Sequence, residues 1–286
     1  MIYSVVSALL YVINNFFWKH NLNLQINEFS LIANRAIYTV GISVFLNFVI
    51  NTGISELTLK DHLYACFASI FGSIGLIFMV RGLRQSPLNQ LGIYNLLGAL
   101  ISLLIVKFFI SNYDAISYLL IVLTFSGYLL FIHPIKRDTF FRLNFNFLMM
   151  VFFFTVSTFI HWFNLNNIHP FYVCLNQEVI VLVTSVFWIK LFNKTKKNSI
   201  KSTGYQINLA LSALIILAAL CFGYFGLQKV DPLMVNLIYL TIGPITFLVG
   251  ISFLKEAYQY QKIIGILIIT VCIITLYFIE NGIQNK

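Results

Sequence analysis

Long apolar stretches separated by short polar connectors run through the whole chain of 286 residues. A helix needs about 20 apolar residues to cross the hydrocarbon core of a membrane, which is about 30 Å thick. The pattern predicts ten such helices, at about 2–18, 29–50, 62–81, 88–109, 114–132, 145–164, 170–191, 206–226, 232–254 and 260–279. Because the connectors leave no room for a soluble domain, we expect residues 1–286 to form a single all-α integral membrane domain.

The two halves of the chain repeat some of the same residues in the same order. At an offset of about 142 to 145 positions, Phe29 recurs as Phe171, Asn34 as Asn176, Ser43 as Ser185, Pro87 as Pro232, Tyr94 as Tyr239 and Gly98 as Gly243. Each half holds an odd number of predicted helices, so the second half would enter the membrane upside down relative to the first. We therefore predict ten transmembrane helices arranged as two inverted five-helix repeats, at about 1–139 and 140–286, which is an architecture of secondary transporters.

Composition agrees with a membrane environment. Apolar residues make up 59% of the sequence and charged residues 9%, whereas charged residues are about 25% of an average soluble domain. The first apolar stretch lacks the basic start and the small-residue cleavage pattern of a signal peptide, so we interpret it as a retained helix. The four cysteines all fall inside predicted helices, where a thiol usually packs as a small apolar group.

The net charge of +9 is concentrated in the connectors between predicted helices. The most basic connectors are 133–143 and 190–205, and membrane proteins keep such segments on the cytoplasmic side. With ten helices, this charge distribution places both termini outside the cytoplasm. Because orientation accounts for the basic residues, we expect the lipid bilayer as a partner and no nucleic acid.

Several motifs follow one another in the second half: Asp231-Pro232, Gly243-Pro244, Leu254-Lys255-Glu256 and Gly265. In these motifs the chain resembles the drug/metabolite transporter superfamily, in its ten-span EamA-like branch, whose ninth span carries a proline and ends in a glutamate. Pro244 and Glu256 match those two positions, and Arg35 resembles an arginine common in the second span. The first half departs from the pattern, because Ala99 stands at the position equivalent to Pro244.

The resemblance implies a fold of two inverted five-helix repeats that moves small metabolites. We expect the protein in the inner (plasma) membrane, as a monomer or homodimer. It also implies cytoplasmic termini, opposite to the charge distribution, and both orientations stay open at this point. It places spans 1, 3, 4, 6, 8 and 9 around a central cavity and spans 2 and 7 outside it.

Polar and aromatic residues on those lining spans are the candidate substrate-binding residues: Asn14, Asn15, Tyr94, Asn95, Ser157, His161, Trp162 and Tyr239. Adjacent amides inside an apolar helix need protein or water partners, and histidine titrates near neutral pH. An indole can stack on an aromatic or cationic ligand. The alternative for the aromatic residues is ordinary packing, or anchoring at the membrane interface.

Arg35 and Glu178 each lie about two turns inside a predicted helix. A charge at membrane depth is costly and therefore tends to be kept for function, so Glu178 is the candidate for proton coupling. The alternative is a charge held by neighbouring polar groups. Pro244 removes a backbone hydrogen bond, which predicts either a hinge or a static kink, and Glu256 is interpreted as a structural residue at the end of a helix.

These features predict a multi-pass secondary transporter that moves a small polar or amphipathic metabolite by alternating access. The resemblance implies export of an amino-acid-like cargo as the favoured direction and class. The five histidines are scattered singly, so we expect no enzyme activity, no metal and no cofactor. No Gly-rich phosphate loop is present, which argues against an ATP-driven pump on this chain alone. The alternative is a non-transporting membrane scaffold or a lipid-handling protein.

Overall fold

The computed structural model describes residues 1–22, 27–53, 57–86, 91–109, 113–132, 144–192, 203–245, 247–248 and 260–284. These residues form ten long or short α-helices and no strand: α1 Ile2–Leu22, α2 Glu28–Ile50, α3 Leu59–Gln85, α4 Leu91–Phe109, α5 Ala115–Ile132, α6 Phe145–Asn164, α7 Pro170–Phe192, α8 Thr203–Leu227, α9 Pro232–Tyr239 and α10 Tyr260–Gln284.

The prediction of an all-helical, multi-pass membrane protein is confirmed. Among the described residues, seven helices are long and apolar enough to cross a membrane, and two shorter apolar helices run at Tyr94–Phe109 and Pro232–Ile245. The first helix is 21 residues long but is not one of these seven, because its two adjacent asparagines make it less apolar. Large apolar side chains such as Phe48 (85% exposed) and Phe108 (84% exposed) cover the outside of the bundle, as expected of a surface that faces lipid.

Short polar residues define where several helices begin. The Asn27 side chain accepts hydrogen bonds from the backbone amides of Phe29 and Ser30 at the start of α2. Thr58 and Asp61 form a reciprocal capping box at the start of α3. Such caps satisfy backbone donors that a helix leaves without partners in its first turn, so these helices begin close to where the sequence predicts.

The ninth helix is shorter than the predicted span 232–254. It ends at Tyr239, residues 240–241 form a turn, and a further helical stretch follows at 242–245. At the turn the amide of Thr241 donates a hydrogen bond to the carbonyl of Ile238, three residues earlier, at 2.9 Å. In an α-helix the acceptor would be four residues earlier. Pro244 accounts for the break, since a proline ring clashes with the carbonyl four residues earlier and has no amide to donate.

Each half of the chain supplies helices that pack against the other half. Helices α2 and α7, α4 and α9, and α5 and α10 pair directly, and each pair joins helices five places apart. Two further extensive contacts join α3 with α6 and α1 with α8. Moving each helix of one contact five places along the chain, α3 to α8 and α6 to α1, gives the other contact. The same holds for α3 with α7 and α2 with α8.

Gly265 marks the closest approach of α5 and α10. A Cβ at this position would lie 2.6 Å from the Gly127 carbonyl oxygen and 2.8 Å from the Phe131 amide nitrogen, both of which are backbone atoms. Only a residue without a Cβ therefore fits at this crossing, as is common where membrane helices touch.

Replacing Gly265 by alanine is expected to lower the thermal unfolding midpoint in detergent, because overpacking against rigid atoms costs about 1–3 kcal/mol. Gly41 is the matched control, since a Cβ there would meet nothing within 4 Å. Gly41→Ala should be neutral or raise the midpoint, because alanine favours a helix by roughly 1 kcal/mol over glycine. Equal midpoints for the two variants would show that α5 and α10 do not cross at Gly265.

Candidate functional site

A cavity of about 230 Å³ lies in the centre of the bundle, bounded by residues from α1 to α4, from α6 to α9 and from the segment after α9. One part of its wall is aliphatic and includes Leu76, Met79, Val151 and Val181. The rest is polar and aromatic: Tyr11, Asn14, Asn15, Arg35, Tyr94, Asn95, Thr155, Thr158, His161, Gln177, Glu178, Tyr224, Asn236 and Tyr239. A mostly apolar cavity with a few converging polar groups is the usual form of a small-molecule site.

Most candidate residues from the sequence meet at this cavity. Its wall includes Asn14, Asn15, Arg35, Tyr94, Asn95, His161, Glu178 and Tyr239. All six spans that the resemblance placed around a cavity contribute to it. The second and seventh spans contribute as well, which differs from the expectation that they lie outside.

Three candidates lie elsewhere among the described residues. Ser157 donates a hydrogen bond to the Ala68 carbonyl at 2.8 Å and so joins α6 to α3. Trp162 packs on two apolar clusters and lies 5.0 Å from the Phe163 ring centroid. Pro244 is buried but is absent from the cavity wall. Glu256 lies outside the described residues.

The charged residues of α2 and α7 form a buried ion pair on the cavity wall. Arg35 Nη2 lies 2.7 Å from Glu178 Oε2, and the two side chains are only 1% and 2% exposed. The Thr39 hydroxyl donates to the same carboxylate oxygen at 2.6 Å. The Arg35 guanidinium also lies over the Trp18 ring, 5.2 Å from its centroid. Leaving either charge buried alone would cost several kcal/mol, so each charge stabilises the other in this buried position.

Several polar atoms beside this ion pair have no hydrogen-bond partner among the described residues. They are both amide atoms of Asn14 and Nε of Arg35, whereas the His161 imidazole hydrogen-bonds to the Gln177 side chain. Both hydrogen bonds that Glu178 accepts fall on Oε2. Buried polar atoms in native proteins usually find partners in protein or ordered water, so water or a ligand in the cavity would complete the hydrogen bonds of these atoms.

Tyrosines complete the polar side of the cavity. The Tyr11 and Tyr239 rings pack edge to face at 5.5 Å, and Tyr224 packs against His161 at 5.0 Å. The Tyr239 hydroxyl lies 2.9 Å from the Ser7 hydroxyl. Tyr94, which recurs as Tyr239 in the sequence, accepts a hydrogen bond from the backbone amide of Asn144 at 2.6 Å.

Sequence analysis missed Tyr11, Gln177 and Tyr224. A signal was present for Tyr11, because it precedes Asn14 by three positions and Asn15 by four, which places it on the same face of α1. Gln177 directly precedes Glu178, so its place beside a buried charge was the signal in the sequence. Nothing in the sequence distinguishes Tyr224 from the many other aromatic residues of the chain.

Two thiols meet near the ion pair without forming a recognisable metal site. Cys174 and Cys221 are free and buried, and their sulfur atoms are 3.1 Å apart. Within the part of the chain that the structure describes, no group of three or more His, Cys, Asp or Glu side chains comes together.

Polar contacts tie helices together at the ends of the bundle. The Lys19 ammonium donates to the carbonyls of Leu83 and Ser86 at 2.8 and 3.1 Å, which fastens α1 to the end of α3. Elsewhere, Tyr113 donates to Asp231, the cap of α9. Burial raises the pKa of the Asp231 carboxyl, and this hydrogen bond opposes the effect.

Comparisons with known proteins add a fold but no family. No protein-family model and no curated protein matches the sequence. The chain is similar to a solved structure described only as "Crystal structure of protein", with a TM-score of 0.69 and 11% sequence identity over 96% of this chain and 98% of the other. At that identity the likeness shows the fold alone.

Proposed function

We propose that this protein is a secondary transporter that carries a small polar or amphipathic metabolite across the inner membrane by alternating access. The observation that carries the proposal is a central cavity whose wall comes from both halves of the chain and holds unpartnered polar atoms. Transporters bind cargo near the membrane midplane, at the interface between their repeats. The resemblance to the EamA-like branch supports the same function.

The proposal includes ten membrane crossings and two inverted five-helix repeats. Helices five places apart in the chain contact each other, and a shift of five places converts one contact pair into another. A two-fold relation between the halves would produce this pattern. The recurrence of Tyr94 as Tyr239, both on the cavity wall, supports the same relation. The oligomeric state that fits this proposal is a monomer or a homodimer.

Cargo chemistry follows from the charge of the cavity wall. Among its described residues the wall holds one cation, Arg35, and one anion, Glu178, and they compensate each other. A cargo with net charge would lose its hydration without gaining an opposite charge, which is costly at membrane depth. The proposed cargo is therefore neutral overall, and amino-acid-like metabolites moving outward are favoured.

Glu178 is our candidate for the group that couples transport to protons. It can take up a proton with little cost only when Arg35 moves away, which would link protonation to a movement of α2 against α7. Liposomes loaded with a pH-sensitive dye test this coupling. Cargo flux with a change in lumen pH supports it, and flux at constant lumen pH excludes it.

A thermal-unfolding screen of the detergent-purified protein tests the proposed function, using amino acids, nucleosides, polyamines and organic cations as ligands. A ligand that binds only the folded state stabilises it by about 2.7 kcal/mol at a hundredfold excess over its dissociation constant. We expect at least one class to raise the midpoint. No shift with any class, from a protein that unfolds cooperatively, would favour the scaffold or lipid-handling alternative.

A further inference from the structure

A group of charged residues lies at one end of the bundle, away from the central cavity. It consists of Lys19 near the end of α1, Glu28 at the start of α2, and Arg81 and Arg84 near the end of α3. None of the four is on the cavity wall. We call these four residues the basic cluster, because three of them are cations and one is an anion.

The Glu28 carboxylate holds two guanidinium groups of the basic cluster at once. Arg84 Nη1 lies 2.5 Å from Glu28 Oε2, and Arg81 Nε lies 3.5 Å from Glu28 Oε1. Arg81 and Arg84 are three positions apart on α3, and side chains at this spacing are neighbours on a helix surface. One carboxylate therefore keeps the two guanidinium groups side by side.

An aromatic ring restricts Arg81 further. The Arg81 guanidinium carbon lies 4.9 Å from the centroid of the Phe29 ring, and a cation above an aromatic face is attracted to it. The Phe29 ring in turn stacks on Trp188 of α7, with centroids 6.0 Å apart and 8° between the ring planes. Arg81 is therefore held between a carboxylate and a pair of stacked rings, and its orientation is fixed before any ligand binds.

The basic cluster carries more positive charge than its own residues compensate. Among the described residues, Glu28 is the one acidic side chain that pairs with Arg81 and Arg84. The Lys19 ammonium donates to two backbone carbonyls near the end of α3, which carry no net charge. Each guanidinium has five N–H donors, more than one shared carboxylate can occupy. Because Arg81 and Arg84 are 35% and 46% exposed, a ligand can reach the remaining donors.

The lipid-facing surface of the bundle reaches the basic cluster along α7. Trp188 lies near the end of that helix, and tryptophan is enriched where a membrane meets water. Phe187 packs against the Trp188 ring at 6.2 Å, and Leu191 is one helical turn further along. These two apolar side chains are 56% and 53% exposed. A ligand at the basic cluster therefore meets charged groups and an apolar, lipid-facing surface side by side.

We propose that Arg81 and Arg84, held by Glu28, bind the phosphate group of an anionic phospholipid. Guanidinium groups match phosphate oxygens with parallel N–H donors, and basic pockets between membrane helices bind acidic lipid head groups. The phosphate accepts hydrogen bonds from the donors that Glu28 does not occupy, and the acyl chains lie against the exposed apolar residues of α7. This site is independent of the proposed transport function, because it shares no residue with the central cavity.

Charge and location select this ligand among phosphate-bearing molecules. A zwitterionic phospholipid brings a cation next to its phosphate, so it leaves the excess positive charge of the basic cluster unchanged. An anionic phospholipid brings the phosphate alone and reduces that excess. A free phosphate ion has the same charge chemistry, but the membrane holds lipid head groups beside the basic cluster at a high local concentration, which favours the lipid.

Native mass spectrometry of the detergent-purified protein measures this binding, because it counts bound lipids and gives their dissociation constants. The probes are dioleoyl phosphatidylglycerol, which is anionic, and dioleoyl phosphatidylcholine, which is zwitterionic. We expect the anionic lipid to bind about tenfold more tightly, since each arginine near the membrane surface attracts anionic lipid. Equal affinities would overturn the proposal. Displacement of the anionic lipid by an equal concentration of inorganic phosphate would assign the site to a free ion and would also overturn it.

Two double variants test whether the basic cluster is the site. Arg81→Gln/Arg84→Gln should lower the affinity for phosphatidylglycerol to that for phosphatidylcholine. Lys60→Gln/Lys229→Gln is the matched control, because it removes two exposed positive charges at the start of α3 and just after α8. We expect this control to bind phosphatidylglycerol as the wild type does. Equal losses in the two variants would reduce the effect to general attraction by net charge and overturn the site.

Arg81→Lys/Arg84→Lys separates lipid recognition from folding. This variant keeps both positive charges beside Glu28, so it should fold even if the glutamine variant does not. Lysine cannot offer two parallel donors to one phosphate, so we expect an affinity for phosphatidylglycerol between those of the wild type and the control lipid. Wild-type affinity in the lysine variant would show that charge alone is recognised and would overturn the assignment of the phosphate to the two guanidinium groups.

Discussion

Replacing Arg35 or Glu178 alone is expected to destabilise the protein far more than replacing both. A single replacement leaves one buried charge without its partner, which costs about 3–5 kcal/mol. The double variant Arg35→Gln/Glu178→Gln leaves no charge behind and should recover most of that loss. Thermal unfolding midpoints of the two single variants and the double variant, in one detergent, measure the coupling between the residues.

Glu28→Gln is the control for Glu178→Gln, because it removes a carboxylate that lies at the end of the bundle. Arg84, its partner, is 46% exposed, and exposed ion pairs are worth roughly 0–1 kcal/mol. Glu178→Gln should therefore lower the midpoint several times more than Glu28→Gln. Similar midpoints for these two variants would show that α2 and α7 do not hold a buried ion pair in the folded protein.

Asn14→Leu is expected to raise stability and abolish ligand binding in the same molecule. Both polar atoms of the Asn14 amide are buried without partners among the described residues, and an unsatisfied buried polar group costs about 1–3 kcal/mol. Leucine has a similar size and no polar atom, so it removes that cost. It also removes the donor and the acceptor that we assign to cargo.

Asn21→Leu is the matched control for Asn14→Leu. Asn21 is also on α1, is 2% exposed and has an unpartnered Oδ1 among the described residues, but it is absent from the cavity wall. We expect this variant to retain ligand binding. Loss of binding in both variants would assign the amides a role in the shape of α1, and retention in both would show that Asn14 does not contact the ligand.

The positions of the helices were predictable because membrane helices depend on long apolar runs, which a sequence shows directly. In the structure the capping residues Asn27 and Thr58 satisfy backbone amides at the start of α2 and α3. The end of α9 was not predictable to the same degree. Pro244 predicted a break in the helix, but whether the helix ends before or after the proline depends on how the backbone relaxes around it.

The partnership of Arg35 and Glu178 was within reach of the sequence and was missed. The two residues are 143 positions apart, close to the offset at which residues recur in the sequence. If two helices related by that offset pack antiparallel, residues near the middle of each helix meet. The sequence gives the depth of each charge, but only the crossing of α2 and α7 shows that their side chains face each other.

Other parts of the site depended on details of packing. Ser157 looks like a lining residue by sequence, yet its hydroxyl is used by the Ala68 carbonyl. Tyr224 looks like any aromatic residue, yet α8 turns it toward His161 and the cavity. Which face of an almost uniformly apolar helix points inward is set by its neighbours, and the apolar pattern of the sequence does not specify it.

Counterflow in proteoliposomes tests the central claim most directly. Liposomes containing the purified protein are loaded with an unlabelled ligand that raises the midpoint in the thermal-unfolding screen, and uptake of the same ligand in radiolabelled form is followed. We expect rapid uptake above that of protein-free liposomes for the wild type and for Asn21→Leu, and none for Asn14→Leu. Uptake by Asn14→Leu equal to the wild type would contradict a cargo site in the central cavity. Binding of the ligand by the wild type without any counterflow would contradict transport itself.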